Sequence, residues 1–172
     1  MRAAEMRIEM SKTITLRRAT DDDYAFMRAL YGAGRAEEMQ HFPMTPEQKE
    51  AFLDQQFAAQ TEHYAKHYPT ARFDIVECDG ERAGRLYVDV WPSQIRIVDI
   101  ALMPEHRNSG LGTSLVKQIL EEGRAAEKPV TIHVERYNPA LRLYERLGFR
   151  AVDTNGIYLL MEWRADQVNT AS

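Results

Sequence analysis

The chain has 172 residues, a formal net charge of −4, 44% hydrophobic and 28% charged side chains, and an isoelectric point near 5.8. The length suits one domain around one core, and the mild acidity argues against a general nucleic-acid binder, which would show a basic face. The sole cysteine, Cys78, excludes an internal disulfide and fits a reducing, cytoplasmic setting. Met1 to Met10 carries charges and no apolar run, so it does not read as a signal peptide. No stretch approaches the roughly 18 apolar residues of a membrane span, so no membrane partner is expected.

Residues 1–12 are expected to be a disordered tail, residues 13–164 the folded domain, and residues 165–172 a loose C-terminal tail. Thr13 to Arg18 alternates apolar and polar positions, as a half-buried strand does. Thr20 and the acidic run Asp21, Asp22, Asp23 start a helix, because their oxygens and charge suit free backbone N–H groups. That helix is expected to stop near Tyr31, where Gly32 and Gly34 weaken it. Thr45 caps a second helix with Pro46 at its first position. This helix runs to about Tyr68 and shows Leu53, Phe57 and Tyr64 on one face.

Two strands follow, Arg72 to Cys78 and Ala83 to Val90, around the hairpin signal Asp79-Gly80. Gln94 to Met103, rich in Ile and Val, reads as a central strand closed by Pro104. Gly110 to Ala126 is an amphipathic helix with Leu111, Leu115 and Ile119 four apart. Pro129 to Val134 is a strand. Asn138-Pro139 caps a further helix with Leu141, Tyr144 and Leu147 on its face, and Gly148 ends it. Strands at about Arg150 to Asp153 and Ile157 to Trp163, joined by Asn155-Gly156, complete the chain. The order is β-α-α-β-β-β-α-β-α-β-β, a mixed α/β (α+β) sheet protein without internal repeats.

The chemistry concentrates in Pro104-Glu-His-Arg107-Asn108-Ser109-Gly110-Leu111-Gly112-Thr113. A strand ends, a loop with two glycines follows, and a helix begins. Such a loop aims backbone N–H groups at one spot, backed by the positive helix end, and so makes an anion site suited to phosphates. Arg107 adds a forked, permanent positive charge. A nucleoside-triphosphate loop would need a lysine after the second of two more widely spaced glycines, yet Thr113 follows Gly112. A dinucleotide fingerprint would need a third glycine where Leu115 stands.

The pattern present, Arg-x-x-Gly-x-Gly, resembles the pyrophosphate loop of the GNAT superfamily of acyl-coenzyme A-dependent N-acyltransferases. Asp99-Ile-Ala-Leu-Met-Pro104 resembles that family's fourth strand. Asn138-Pro-Ala-Leu-Arg-Leu-Tyr144-Glu-Arg-Leu-Gly148-Phe149 resembles its fourth helix and the following turn. The specific motifs cover about Ile95 to Phe149, and the element order agrees with the GNAT fold. The resemblance implies acetyl-coenzyme A as cosubstrate and an amine as acceptor, and the Glu-, Gln-, His- and Tyr-rich composition of about Tyr31 to Tyr68 points to a polar small-molecule amine. It also implies the homodimer common in the family. Leu102 and Met103 would contact the pantetheine arm through their backbone. Arg107, Asn108, Ser109, Gly110, Gly112 and Thr113 would cradle the pyrophosphate. Asn138 would approach the pantetheine and Tyr144 the thioester sulfur. The family also splays its fourth and fifth strands, here Gln94–Met103 and Pro129–Val134, to admit the cofactor.

On this reading, Tyr144 is the general acid for the departing thiolate, its reference pKa of about 10 set against about 8.5 for a thiol. A backbone N–H of the fourth strand would stabilise the oxyanion. The base that deprotonates the amine is left open. Asp99 is taken first, with Glu135, and Glu37, Glu38 and His41 in the acceptor-side loop, as alternatives, and relatives that use a water chain need no single base. Each of these residues also has a structural reading: Asn138 as helix cap, Tyr144 as core aromatic, Asp99 as a pairing group in the sheet. His63 and His67 sit four apart, which is metal-ligand spacing, but without a supporting carboxylate or cysteine cluster no metal is expected. Cys78 sits at a strand end before a turn with no base paired with it, and is not read as a nucleophile. Other readings of the same motifs are a non-catalytic acyl-coenzyme A-binding scaffold or sensor, and a protein N-acetyltransferase.

Overall fold

A computed structural model describes residues 12–169. The expected N-terminal tail lies, but for Lys12, outside the described residues. The elements are β1 (Ile14–Arg18), α1 (Tyr24–Met39), α2 (Pro46–His67), β2 (Arg72–Cys78), β3 (Glu81–Val90), β4 (Ile95–Leu102), α3 (Leu111–Ala126), β5 (Val130–Glu135), α4 (Leu141–Arg146), β6 (Arg150–Asn155), β7 (Tyr158–Trp163) and α5 (Ala165–Asn169), with single 3₁₀ turns at Asp21–Asp23 and Pro104–His106. The expected element order holds. Helix α5 occupies part of the stretch expected to be loose, and Asp166 in its first turn supports it. The seven strands form a mixed sheet in the order β1-β2-β3-β4-β5-β7-β6. Among the described residues no helix is long and apolar enough to cross a membrane. The chain divides into two compact units, residues 1–86 with 101–106, and residues 87–100 with 107–172.

In the first unit, β1 runs antiparallel to β2 from Ile14 opposite Cys78 to Arg18 opposite Asp74. Asp79 and Gly80 both take positive φ, 53° and 82°, as a two-residue hairpin turn of this kind requires. Helix α1 does not stop at Tyr31 but continues through both glycines to Met39. Burial of Leu30 and Met39 outweighs the roughly 1 kcal/mol that an interior glycine costs. Arg28 also straps α1 to α2, through Glu50 (2.9 Å) and Asp54 (2.7 Å). A side chain at position 32 would crowd the Arg28 guanidinium, at 2.9 Å from its Cβ. Helix α2 starts as the sequence indicates: Gln48 N donates to Thr45 Oγ1 (3.1 Å), and Thr45 N donates to Gln48 Oε1 (2.9 Å). Its Phe57 is buried against the rings of Tyr24 and Tyr31.

Asp23 is only 1% exposed, a cost met by full hydrogen bonding. Arg17 donates to both its oxygens (2.9 and 2.8 Å), Thr20 N to one (2.9 Å), and Arg82 to the other (3.3 Å). The Arg17 guanidinium holds this carboxyl well below the usual range. Asp23→Asn should therefore lower stability at neutral pH by about 1.5–3 kcal/mol. Because the folded-state value is depressed, the wild-type advantage is full above the unfolded carboxylate value of about 4. It shrinks as pH falls below that. Urea unfolding of both proteins at pH 7 and at pH 3 measures it.

In the second unit, β5 pairs antiparallel with β7 along its whole length, Val130 opposite Trp163 to Glu135 opposite Tyr158, and β7 pairs with β6. Helix α3 buries Leu111, Leu115, Val116, Ile119 and Leu120. The core-facing sheet positions alternate: Ile95 and Ile97, then Val130, Ile132 and Val134, then Met161 and Trp163, all buried.

Candidate active site

Strands β4 and β5 are parallel neighbours only from Ile95 opposite Val130 to Ile97 opposite Ile132. Strand β4 continues to Leu102 and β5 to Glu135, so beyond Ile97 and Ile132 the two part. In the second unit this leaves Val98–Ile100 and His133–Glu135 unpaired with each other, the splay expected from the sequence.

The loop from Arg107 leads into α3 and is exposed from Arg107 to Gly110. Asn108 and Gly110 both take positive φ, 57° and 85°. Gly110 is the N-cap and brings no side chain to the helix end. The first α-helical bond runs from Ser114 N to Gly110 O (3.0 Å). The amides of Leu111, Gly112 and Thr113 precede it and point out of the helix end, where the macrodipole favours an anion. A serine or aspartate cap would have occupied those amides; the glycine leaves them to a ligand.

Tyr144 sits on α4 with 5% of its surface exposed, its ring edge-on to Phe149 at 5.6 Å. Alternation along β4 puts Asp99 on the face of Ile95 and Ile97. Burial, and then the negative charge of Asp99, push the Tyr144 phenol up to about 12. The two candidate catalytic groups therefore act on each other electrostatically.

Asn138 starts the turn into α4, but the helix begins at Leu141, not at Pro139. Asn138 Oδ1 accepts from Ala140 N (2.9 Å), its carbonyl accepts from Leu141 N (3.0 Å), and its own N–H donates to Glu135 O (2.9 Å). The side-chain NH₂ is thus the Asn138 group best placed to meet a ligand. Glu135 is exposed at the end of β5.

Leu102 and Met103 belong to the first unit. Met103 N donates to Ala83 O (2.8 Å) and Met103 O accepts from His106 N (2.9 Å), which leaves the second lone pair of that carbonyl. A Cβ at Gly84 would run into the Ala101 carbonyl oxygen and come within 3.0 Å of Leu102 Cα. Gly84 thus lets β3 and the end of β4 approach. Gly84→Ala should cost about 1–3 kcal/mol. Gly34→Ala, with nothing within 4 Å, should instead gain about 0.5–1 kcal/mol. Thermal melting and calorimetry of the two variants separate these outcomes.

Glu37 and Glu38 fall in the last turn of α1 rather than in the following loop. Glu38 pairs with Arg35 (3.1 Å), whose guanidinium lies over the rings of Tyr31 and Phe52. His63 and His67 stack at 4.2 Å, with the His67 ring bonded to His63 O (3.1 Å). Sequence reasoning passed over Tyr137, 84% exposed, and the exposed Ile157 and Tyr158. They stand at the end of β5, where Tyr158 pairs with Glu135 and Arg136 N donates to Ile157 O (2.7 Å). Tyr137 falls between β5 and α4, outside any helical or strand period, whereas Ile157 and Tyr158 stand at the start of the last strand.

A mixed seven-stranded sheet with parted β4 and β5, and an uncapped helix end at the glycine loop, agree with the fold that the sequence resemblance implies. Residues 35–149 match the Acetyltransferase (GNAT) family, and the chain belongs to that family of N-acetyltransferases. It is 30% identical over 93 residues to a Bacillus subtilis protein provisionally named a ribosomal protein bS18-alanine N-acetyltransferase, covering 51% of this chain and 60% of that one. It is also 30% identical over 105 residues to an N-alpha-acetyltransferase of Sulfurisphaera tokodaii, covering 52% and 62%. The matched stretch thus spans about three fifths of these curated relatives. The fold is that of the PaiA N-acetyltransferase of Thermoplasma acidophilum, solved with coenzyme A, at TM-score 0.67 and 15% identity over 88% of this chain and 99% of the other.

Proposed function

We propose that the protein transfers the acetyl group of acetyl-coenzyme A directly to a primary amine in a ternary complex. The observation that carries this is the second unit's combination of parted strands, open helix end and the Tyr144–Asp99 pair. The amides of Leu111, Gly112 and Thr113, with Arg107, Asn108 and Ser109, hold the pyrophosphate. The Asn138 side chain meets the pantetheine arm. Acetyl-coenzyme A supplies the activated acetyl thioester. Holding it beside the amine makes the attack effectively unimolecular.

Asp99 takes the amine proton. Tyr144 faces the departing sulfur with a phenol that stays neutral at physiological pH. Burial and the Asp99 charge hold it up at about 12, which disfavours early ionisation of the phenol while Asp99 is charged. Once Asp99 carries the amine proton, one of the two causes of that shift is gone and the phenol becomes a better donor. Tyr144 therefore acts first by hydrogen-bonding the developing thiolate, and the proton follows.

For the acceptor, the Glu, Gln, His and Tyr content of residues 31–68 suits a polar small-molecule amine. The names of the two curated relatives favour a second reading, the α-amino group of a polypeptide. The exposed Tyr137, Ile157 and Tyr158 suit the apolar side chains such a peptide carries. A coenzyme A-release screen tests this with short peptides of varied first residue, beside polyamines and aminoglycosides. Turnover with peptides alone selects the second reading, turnover with small amines alone the first. Turnover only with hydrophobic amines removes the polar-acceptor reading.

A further inference from the structure

Helix α2 buries Leu53 and Phe57 and no residue after them. On its last turns His63 and His67 are both exposed, and residues four apart stand on the same side of a helix. Their rings are stacked, with centroids 4.2 Å apart and planes inclined by 27°. His67 Nδ1 lies 3.1 Å from the His63 carbonyl oxygen. A carbonyl oxygen can only accept, so Nδ1 carries the proton, and in the neutral ring Nε2 keeps the lone pair. Metal-ligating imidazoles are commonly oriented in this way, with one nitrogen donating to a backbone carbonyl and the other facing the ion. The adjacent row of the helix is anchored within the same unit. Gln60 Oε1 accepts from Arg85 Nη2 (2.9 Å), and the Arg85 guanidinium lies over the Tyr64 ring at 5.9 Å. Among the described residues no group of three or more His, Cys, Asp or Glu gathers around an ion site, so the spacing in the sequence, without a third ligand, did not point to a metal. The paired rings and the fixed tautomer are what the fold adds.

We infer that His63 and His67 form a two-nitrogen chelate for a divalent first-row transition-metal ion, Cu(II) ahead of Ni(II) and Zn(II), using no residue assigned to acetyl transfer. Two histidines at i and i+4 on one helix face are the spacing that holds a single ion. An ion bound to imidazole nitrogens at about 2.0–2.1 Å sets those nitrogens about 3 Å apart. The two exposed rings reach that separation by turning about their side-chain bonds, with the helix backbone unchanged. Imidazole donors without thiolate suit these borderline ions, and the affinity order puts Cu(II) first. Cu(II) also accepts the tetragonal set that two imidazoles and water oxygens provide. Mg(II), which demands oxygen ligands, finds none of its preferred donors in the ring pair.

The test titrates Cu(II), Ni(II), Zn(II) and Mg(II) in turn into the full chain, free of any polyhistidine tag, by calorimetry with glycine as a competing ligand for Cu(II). Saturable binding of a single Cu(II) is expected, weaker binding of Ni(II) and Zn(II), and none of Mg(II). His63→Gln and His67→Gln should each weaken Cu(II) binding by at least about tenfold, the scale of losing even a group that only orients a ligand. Ala65→His/His67→Gln keeps two histidines but sets them two apart, where they do not face each other. It should bind no better than His67→Gln. His133→Gln, on β5 in the other unit, should bind as the wild type does. Circular dichroism melting checks that each variant is folded, and should one single variant fail to fold, the other decides. Absence of saturable Cu(II) binding in the wild type would overturn the assignment. So would equal affinity in a folded single variant, or full affinity in the spacing variant. None of these measurements involves acetyl-coenzyme A, so their outcome is distinct from failure of the acetyl-transfer reading.

Discussion

Tyr144→Phe is expected to lower kcat about a hundredfold while leaving acetyl-coenzyme A affinity within about twofold. The ring itself is structural: it is buried and packs on Phe149 at 5.6 Å, and phenylalanine keeps that contact. What is lost is the hydroxyl, which the proposed mechanism uses only as charge develops on sulfur. The loss therefore falls on kcat and spares binding. Single-turnover measurement removes slow product release as a mask. An unchanged single-turnover rate would show that another group, or water, serves the leaving thiolate. Asp99→Asn gives the companion result, a rate that recovers as pH rises because a larger fraction of the acceptor amine is already neutral.

Gly110→Asp should weaken acetyl-coenzyme A binding about a hundredfold with little change in melting temperature. Two effects oppose each other in stability. A non-glycine residue at φ 85° costs about 1–3 kcal/mol, while an aspartate at an N-cap contributes about 1 kcal/mol by accepting from the first helix amides. In binding the effects add, because the new carboxylate occupies the amides of Gly112 and Thr113 and repels the pyrophosphate. Gly110→Ala carries the strain without the competing cap, so it should destabilise more and bind better than Gly110→Asp. Calorimetry and thermal melting on the two variants resolve the two effects.

The elements that position this site were legible in the sequence because their signals are local. The Asp79-Gly80 hairpin, the Thr45-Pro46 cap and the glycine loop before α3 each depend on a few adjacent residues, and each forms where those residues stand. The sequence places the start of α4 two residues early because Asn138 commits its side chain to a turn with Ala140 before the helix begins. Helix α1 outruns its sequence signal because glycine propensity is a weak prior. It was overridden by the packing of Leu30 and Met39 and by the Arg28 strap to α2, contacts between residues far apart in sequence. The same limit hid the buried charges. Arg96 and Asp23 look like ordinary solvent-facing positions until the fold covers them. The electrostatic coupling of Asp99 to Tyr144 was equally out of reach, since the two lie on different elements.

The central claim, that the helix end opened by Gly110 binds the phosphates of an acyl donor, is tested most directly by calorimetric titration of the purified protein with acetyl-coenzyme A, beside ATP and NAD. Saturable micromolar binding of acetyl-coenzyme A alone, abolished in a Gly110→Asp/Gly112→Asp double variant that remains folded, is the predicted result. Failure of the folded wild-type protein to bind acetyl-coenzyme A, or equal binding by the double variant, would contradict it.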